Sequence, residues 1–317
     1  MTFSVVVGAG GTGRALARLL ADSGERVKLV TRSGSGPNHP GIERVAGDAT
    51  AVDWLTDQAA GATTLYNCAM PPYDRWPTDW PPLAAALLAA AEHSGADYVM
   101  LGNVYAYGAV SGPVTEDQPS APISVKGAVR EQMWADALAA HEAGRVRVTE
   151  IRAGAFLGGD TMSVYNLLVV PSVLAGLPAS YPGDLDVEHG WTYVGDAART
   201  MLAAARHDEA WGRVWHVPST SMLSVRALTA ELTALAGAPD AQLTELALVE
   251  LARLGAQDSV TAELLEMQYL DREPFLLDSA HTSAVLGVTA TPLKSVLIET
   301  IDALRLGSGD DRHRALE

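Results

Sequence analysis

A doubly wound parallel α/β sheet, with a smaller C-terminal lobe interleaved into its second half, is the fold class this sequence predicts. Three observations predict it. Short β-branched runs alternate with longer Ala/Leu-rich helical stretches through the first half of the chain; a G-x-G-x-x-G turn joins the first such run to the first helical stretch; and strand-and-helix segments return at 191–218 after an irregular interval.

The elements follow in order. "FSVVVG" (3–8) has the composition of a buried strand, and "GRALARLLADSG" (13–24) reads as a helix whose Leu16, Leu19 and Leu20 form an apolar stripe that stops at Gly24. "RVKLVT" (26–31), "IERVAGD" (42–48) and "TTLYNCA" (63–69) supply three more strands. A Pro-rich loop, "MPPYDRWPTDWPP" (70–82), then leads to an alanine-rich helix ending near His93. "DYVMLGN" (97–103) is a fifth strand, 124–144 a long helix, and "VRVTEIRAG" (146–154) a sixth strand. Residues 1–155, rejoined by 191–218, make the core; 156–190 and 219–304 make the smaller lobe; and 305–317 read as a flexible polar tail.

Composition narrows the function. The chain has 317 residues, 48% hydrophobic and 19% charged, values of an ordinary globular protein. A net charge of −16 repels phosphodiester backbones and anionic lipid surfaces, so no nucleic-acid or membrane partner is expected. No apolar run approaches the ~20 residues needed to cross a bilayer, and no leader pattern opens the chain, which predicts a cytoplasmic location. A single cysteine, Cys68, excludes an internal disulfide, and the eight histidines lack the paired spacing of metal ligands, so no metal is expected.

The opening turn carries the clearest chemistry. Gly8, Gly10 and Gly13 stand in G-x-G-x-x-G order, with Gly11 and Thr12 between them, directly after a strand and before a helix. Such glycines allow a tight turn and let backbone N–H groups approach a pyrophosphate at the helix N-terminus. An acidic residue at the end of the second strand would bond the ribose hydroxyls of NAD; here that place holds Thr31 and Arg32. A guanidinium attracts a 2′-phosphate, so NADP(H) is favoured over NAD(H).

These residues resemble the short-chain dehydrogenase/reductase superfamily, in its extended and atypical branch that includes NAD-dependent epimerase/dehydratase-like proteins. The resemblance runs to about residue 218. "GDAT" (47–50) looks like the family's Gly-Asp element, which implies that Asp48 and Ala49 line the adenine. "NCAM" (67–70) is similar to its Asn-Ala-Ala element, which implies cofactor contacts for Cys68, Ala69 and Met70. "GNVYAYG" (102–108), "EIRAGAFLGG" (150–159) and "TYVGDAARTM" (192–201) look like later landmarks of the same family.

The catalytic pair is where the resemblance breaks. "PISVK" (122–126) occupies the Tyr-x-x-x-Lys position, keeping Lys126 but placing Pro122 where the family has its proton-carrying tyrosine. The family's serine position is Asn103. The resemblance implies that Lys126 fixes the nicotinamide ribose; the alternative is a solvated charge near a helix cap. Tyr105, two residues after Asn103, is the first candidate to supply the missing phenol, with Asn103 orienting the acceptor oxygen; the alternative is that Tyr105 packs beneath its loop. His189, clustered with Trp191 and Tyr193, is a second acid/base candidate, the alternative being an ordinary polar loop histidine. Tyr165 and Tyr181 are weaker ones, and Tyr73, in the aromatic Pro-rich loop, is a candidate to close over the substrate or else packs within that loop.

The sequence therefore predicts an atypical NADP(H)-dependent oxidoreductase acting on a small organic carbonyl, alcohol or activated alkene. Two alternatives stay open: a dinucleotide-binding redox sensor without turnover, and a cyclase or isomerase on the same scaffold. Relatives imply a homodimer through the segments near 82–94 and 124–143, with Met133 and Trp134 as contacts; the alternative is that these apolar residues face the sheet.

Overall fold

The computed structural model describes residues 3–159 and 161–314. In chain order the elements of the core are β1 (Phe3–Val7), α1 (Gly11–Asp22), β2 (Arg26–Thr31), β3 (Ile42–Ala46), α2 (Val52–Ala59), β4 (Thr64–Asn67), α3 (Trp76–Ser94), β5 (Asp97–Asn103), α4 (Val125–Glu142) and β6 (Val148–Ala153). There follow β7 (Ala155–Leu157), α5 (Val170–Leu174), β8 (Ala179–Tyr181), β9 (Trp191–Tyr193), α6 (Val194–Ala205) and β10 (Val214–His216). The last third holds α7 (Val225–Ala236), β11 (Leu243–Glu245), α8 (Leu248–Gly255), α9 (Ser259–Ala262), α10 (Gln268–Arg272), α11 (Ala280–Leu286) and α12 (Leu293–Arg314). The helix α12 carries the chain to Arg314, where a flexible tail was expected from residue 305; residues 315–317 lie outside the described residues.

Seven strands form one parallel sheet in the order β10-β6-β5-β4-β1-β2-β3. The order reverses between β1 and β4, which opens a crevice at the carboxyl ends of those two strands, the ligand-binding place of open α/β sheets. Alternation along β1 assigns its residues to the two faces: Val5 and Val7 pack in a core with Leu55, Leu87 and Ala137 of α2, α3 and α4, whereas Val6 packs with Leu16, Leu20 and Met201 of α1 and α6. The parallel strands are covered on both faces. A third core, including Tyr165, Val173, Trp191, Leu228 and Leu297, lies in the smaller lobe, where β7 pairs with β9 and β8 with β11. Among the described residues no helix is long and apolar enough to cross a membrane.

Two expectations need correction. The Pro-rich loop ends early, because α3 begins at Trp76 and takes in Pro77, Pro81 and Pro82. Pro77 lies in the first turn, where no backbone bond is lost, and the helix is anchored there by Trp76 and Trp80, buried one turn apart with the Arg130 guanidinium over both rings at 4.7 and 4.4 Å. Met133, expected at a subunit contact, is buried in the core beneath α3 and α4, and Trp134 is half-buried.

Candidate functional site

The glycine turn has the form a phosphate cradle needs. Gly8 adopts a φ of 102°, which disfavours any side chain, and a Cβ there would lie 2.4 Å from the Cys68 carbonyl oxygen. A Cβ on Gly13 would lie 2.1 Å from the Gly8 oxygen, so strand, turn and helix meet at backbone contact. Gly10 differs, since a Cβ there would meet nothing within 4 Å. No side chain caps the first turn of α1, which leaves its N–H groups directed at that open space. Thr12 is buried beneath the turn, and the Arg14 Nε donates to the Ala9 carbonyl at 2.8 Å.

These contacts separate two effects. Gly13→Ala forces backbone apart and is expected to cost about 1–3 kcal/mol of stability. Gly10→Ala has room in the fold, so its unfolding midpoint should stay at the wild-type value while dinucleotide binding falls by about tenfold or more. Urea denaturation and fluorescence titration with NADPH distinguish the two. Equal binding by Gly10→Ala and wild type would remove the turn from the site.

The other expected cofactor residues follow the ends of β2, β3 and β4. Arg32 is exposed just after β2, and the Asp48 carboxylate accepts the Thr50 N–H at 2.9 Å and the Thr50 hydroxyl at 2.8 Å. Those two bonds, with the charge of Arg32 assisting, hold the Asp48 carboxyl below its ordinary range. Ala49 is buried and Met70 exposed, while the Ala69 N–H donates to Asn67 Oδ1 at 3.2 Å. Cys68 is buried with its sulfur 3.8 Å from that of Met201, and burial pushes its thiol up to about 12, so it packs rather than reacts.

Lys126 is the centre of the second half of the site. Ser124 caps α4, accepting the Gly127 N–H at 3.0 Å, and the lysine projects from the first turn into full burial. Its ammonium donates to Glu266 Oε1 at 2.8 Å and to Glu263, and lies 4.5 Å from the centre of the Tyr73 ring. Glu266 also accepts the Val125 N–H at 2.9 Å, so α4 and the segment joining α9 to α10 are tied twice. Gly127 is required here by crowding, since a Cβ would stand 2.6 Å from the Tyr105 carbonyl oxygen. Lys126 is thus an ion-paired interior group, not a solvated charge.

The phenols gather beside it. Tyr73 and Tyr105 share a hydrogen bond between their hydroxyls at 3.3 Å, and Tyr73 and Tyr105 both flank the Trp76 ring. Burial raises both phenols above their ordinary pKa, so each is neutral and can donate. Asn103 accepts the Tyr105 N–H at 3.1 Å through Oδ1; its carbonyl end therefore shapes the turn, leaving the amide nitrogen as the end suited to an acceptor oxygen. Tyr107 is structural, donating to or accepting from His216 Nε2 at 2.6 Å.

His189 does not fit its expected role at neutral pH. It is buried, edge-on to Trp191 at 6.0 Å, and its backbone bridges that of Phe275. Burial pulls the imidazole down to about 4, so it stays neutral, and its Nε2 has no hydrogen-bond partner. Among the described residues no hydrogen bond joins it to the Lys126 cluster. Tyr181 instead reaches the site's edge, donating to Asp271 at 2.8 Å; burial raises that carboxyl to about 6.

Sequence reasoning missed Glu263, Glu266, Tyr269 and Asp271. Tyr269 and Asp271 lie on the short α10 and the two glutamates on the turn between α9 and α10, without periodic patterning, so only the i, i+3 spacing of the glutamates signalled a shared face. A further carboxylate trio, Asp184, Asp186 and Glu245, is close enough to hold a cation, but Asp186 is already paired with Arg226 at 2.8 Å.

Comparison with known proteins supplies the context. A family model described as NAD dependent epimerase/dehydratase family matches residues 4–217. No curated protein matches the chain. Among solved structures, MoeE5 in complex with UDP-glucuronic acid and NAD superposes with a TM-score of 0.78 at 21% identity, covering 96% of this chain and 99% of that one. UDP-glucuronic acid 4-epimerase from Bacillus cereus, in complex with UDP-glucuronic acid and NAD, gives 0.76 at 19%, with coverages of 96% and 99%. UDP-N-acetylglucosamine 4-epimerase from Methanobrevibacter ruminantium gives 0.81 at 14%, with the same coverages. At such identities the likeness is one of fold.

Proposed function

The chain belongs to the NAD dependent epimerase/dehydratase family, and from that premise we propose that it is a nicotinamide-dinucleotide-dependent oxidoreductase of a small organic carbonyl, alcohol or activated alkene, preferring NADP(H). The observation that carries this reading is the glycine turn, packed to backbone contact at Gly8 and Gly13 yet open at Gly10, before an uncapped helix N-terminus. When bound, the dinucleotide supplies a hydride donor or acceptor.

The chain's own residues do the rest. Gly10, Gly11 and the first turn of α1 hold the diphosphate, Asp48 and Ala49 border the adenine, and Arg32 attracts a 2′-phosphate. Lys126 fixes the nicotinamide ribose with the ammonium donor that remains after Glu263 and Glu266 have each taken one. Neutral phenols beside Lys126 hold a proton for the substrate oxygen, and the Asn103 amide nitrogen orients that oxygen. Trp76, Tyr73 and the segment bearing Glu263 exclude water from the reacting region.

The proteins of the similar solved structures carry NAD in their complexes. Support for NADP(H) here rests on Arg32 at the end of a second strand that lacks an acid. The test is direct titration of wild type and Arg32→Ala with NADPH and NADH, followed by tryptophan fluorescence. Wild type should bind NADPH at least about tenfold more tightly, and Arg32→Ala should lose that preference, corresponding to about 1.4 kcal/mol. Equal affinities in wild type would reassign the cofactor to NAD(H), and binding of neither would overturn the dinucleotide reading.

A further inference from the structure

We propose that Tyr269, on α10 of the smaller lobe, is the proton-carrying phenol that Pro122 cannot be, so that the Tyr–Lys pair is assembled from two distant segments. This rests on the dinucleotide-dependent reading above and names the acid/base group of that same site.

The location supports it first. The missing phenol belongs to the stretch that enters α4, four residues before Lys126. The Tyr269 hydroxyl reaches that stretch, lying 3.5 Å from the Ser124 Oγ, two residues beyond Pro122 and two before Lys126, and 3.4 Å from the Tyr105 carbonyl oxygen. Glu266, one turn earlier on the same segment, binds both the Lys126 ammonium and the Val125 N–H. The segment that brings the phenol is therefore the one clamped to the lysine.

The hydrogen bonding supports it second. Tyr73 and Tyr105 engage each other, Tyr107 is committed to His216 at 2.6 Å, and Tyr181 is committed to Asp271 at 2.8 Å. Among the described residues the Tyr269 hydroxyl makes only the two hydrogen-bond contacts at 3.4 and 3.5 Å, at the outer limit of hydrogen bonding, so it can turn to a substrate oxygen at little cost. The side chain is also half-buried, between the closed core and solvent. Burial, opposed by the Ser124 contact and aided by Glu266, raises the phenol to about 12, so the proton is in place before reaction.

The step assigned to Tyr269 is proton transfer alone. Its O–H bond breaks as a bond forms between that proton and the substrate oxygen, and the phenolate left behind takes a proton back from solvent. The reverse direction runs the same exchange backwards.

A test that needs no known substrate is to titrate tyrosinate absorbance with and without saturating NADP+ or NAD+, in wild type, Tyr269→Phe, Tyr73→Phe and Tyr105→Phe. All nine tyrosines have phenols raised above their ordinary pKa, burial being the leading cause in each, so a phenol that moves down stands out. In wild type the oxidised cofactor's positive ring should lower one phenol by about one unit or more. Tyr269→Phe should abolish that shift while keeping the dinucleotide Kd within about twofold, which also reports an intact fold. A shift that persists in Tyr269→Phe, or that is absent from dinucleotide-bound wild type, overturns the assignment and leaves the dinucleotide reading standing. Wild type that binds neither dinucleotide overturns that reading instead.

Discussion

Lys126→Met should lower NADPH oxidation, measured against a panel of ketones, aldehydes and enones, by about 100-fold or more, equivalent to at least about 2.7 kcal/mol of transition-state stabilisation. Methionine keeps the buried stem and removes the charge. On the proposed reading two things then fail together: the ribose loses its donor, and Glu263 and Glu266 lose the cation that ties their segment to α4. Both carboxylates are partly exposed and can rehydrate, so the sheet should stand while α9 and α10 loosen. Hydrogen exchange should accordingly accelerate across 259–272 and remain unchanged in β1, β4 and β5. Lys126→Arg should not rescue turnover, because a planar fork cannot reproduce the compact ammonium shared by Glu263 and Glu266. Turnover at the wild-type rate in Lys126→Met would remove the lysine from the reaction.

The largest effect on stability is expected from the ion pair of β6. Glu150 and Arg152 are two residues apart on the same face of the strand, 1% and 2% exposed, with Nε donating to Oε2 at 2.8 Å. Gly102 on β5 makes room for the pair, since a Cβ there would lie 2.2 Å from Glu150 Oε1. Arg152→Met leaves a buried carboxylate with no bonded cation and should cost about 3–5 kcal/mol, read as a fall in the denaturation midpoint. The Arg152 guanidinium also lies 4.6 Å from the centre of the Tyr107 ring, whose hydroxyl bonds His216, so the turn before Gly108 should loosen as well. Replacing both partners, Glu150→Leu with Arg152→Met, removes the uncompensated charge and should recover much of the loss. A double variant no more stable than the single one would mean that the pair's geometry, rather than its charge balance, holds β6.

How much of this was legible depended on distance along the chain. The strand β5 could be read to the residue, because its apolar run ends in a glycine and an asparagine, the last two residues to pair with β6 before the chain turns. The glycine cradle was equally plain, since motif, strand and helix are consecutive. The start of α3 was not, because local proline chemistry argues for a loop and only the burial of Trp76 and Trp80 against Arg130 overrides it. Asn103 was recognised as a site residue, yet its carbonyl's service to the Tyr105 N–H is a detail of turn geometry that spacing does not reveal. His189 was read as titratable near neutrality; enclosure in the smaller lobe's core removes that property. Least visible were the partners of Lys126, which come from the turn between two short helices with no periodicity of their own.

That separation along the chain sets an order of assembly. Lys126 and Glu263 are 137 positions apart, which at about 5–20 residues per second is roughly ten seconds of synthesis. During that interval the nascent polypeptide can complete most of its parallel sheet, but the ammonium waits without its carboxylates. A ribosome-tethered fragment ending before α9 would therefore hold a nearly finished sheet while the Lys126 cluster stays open, so the buried ion pairs of this molecule close only after its scaffold is made.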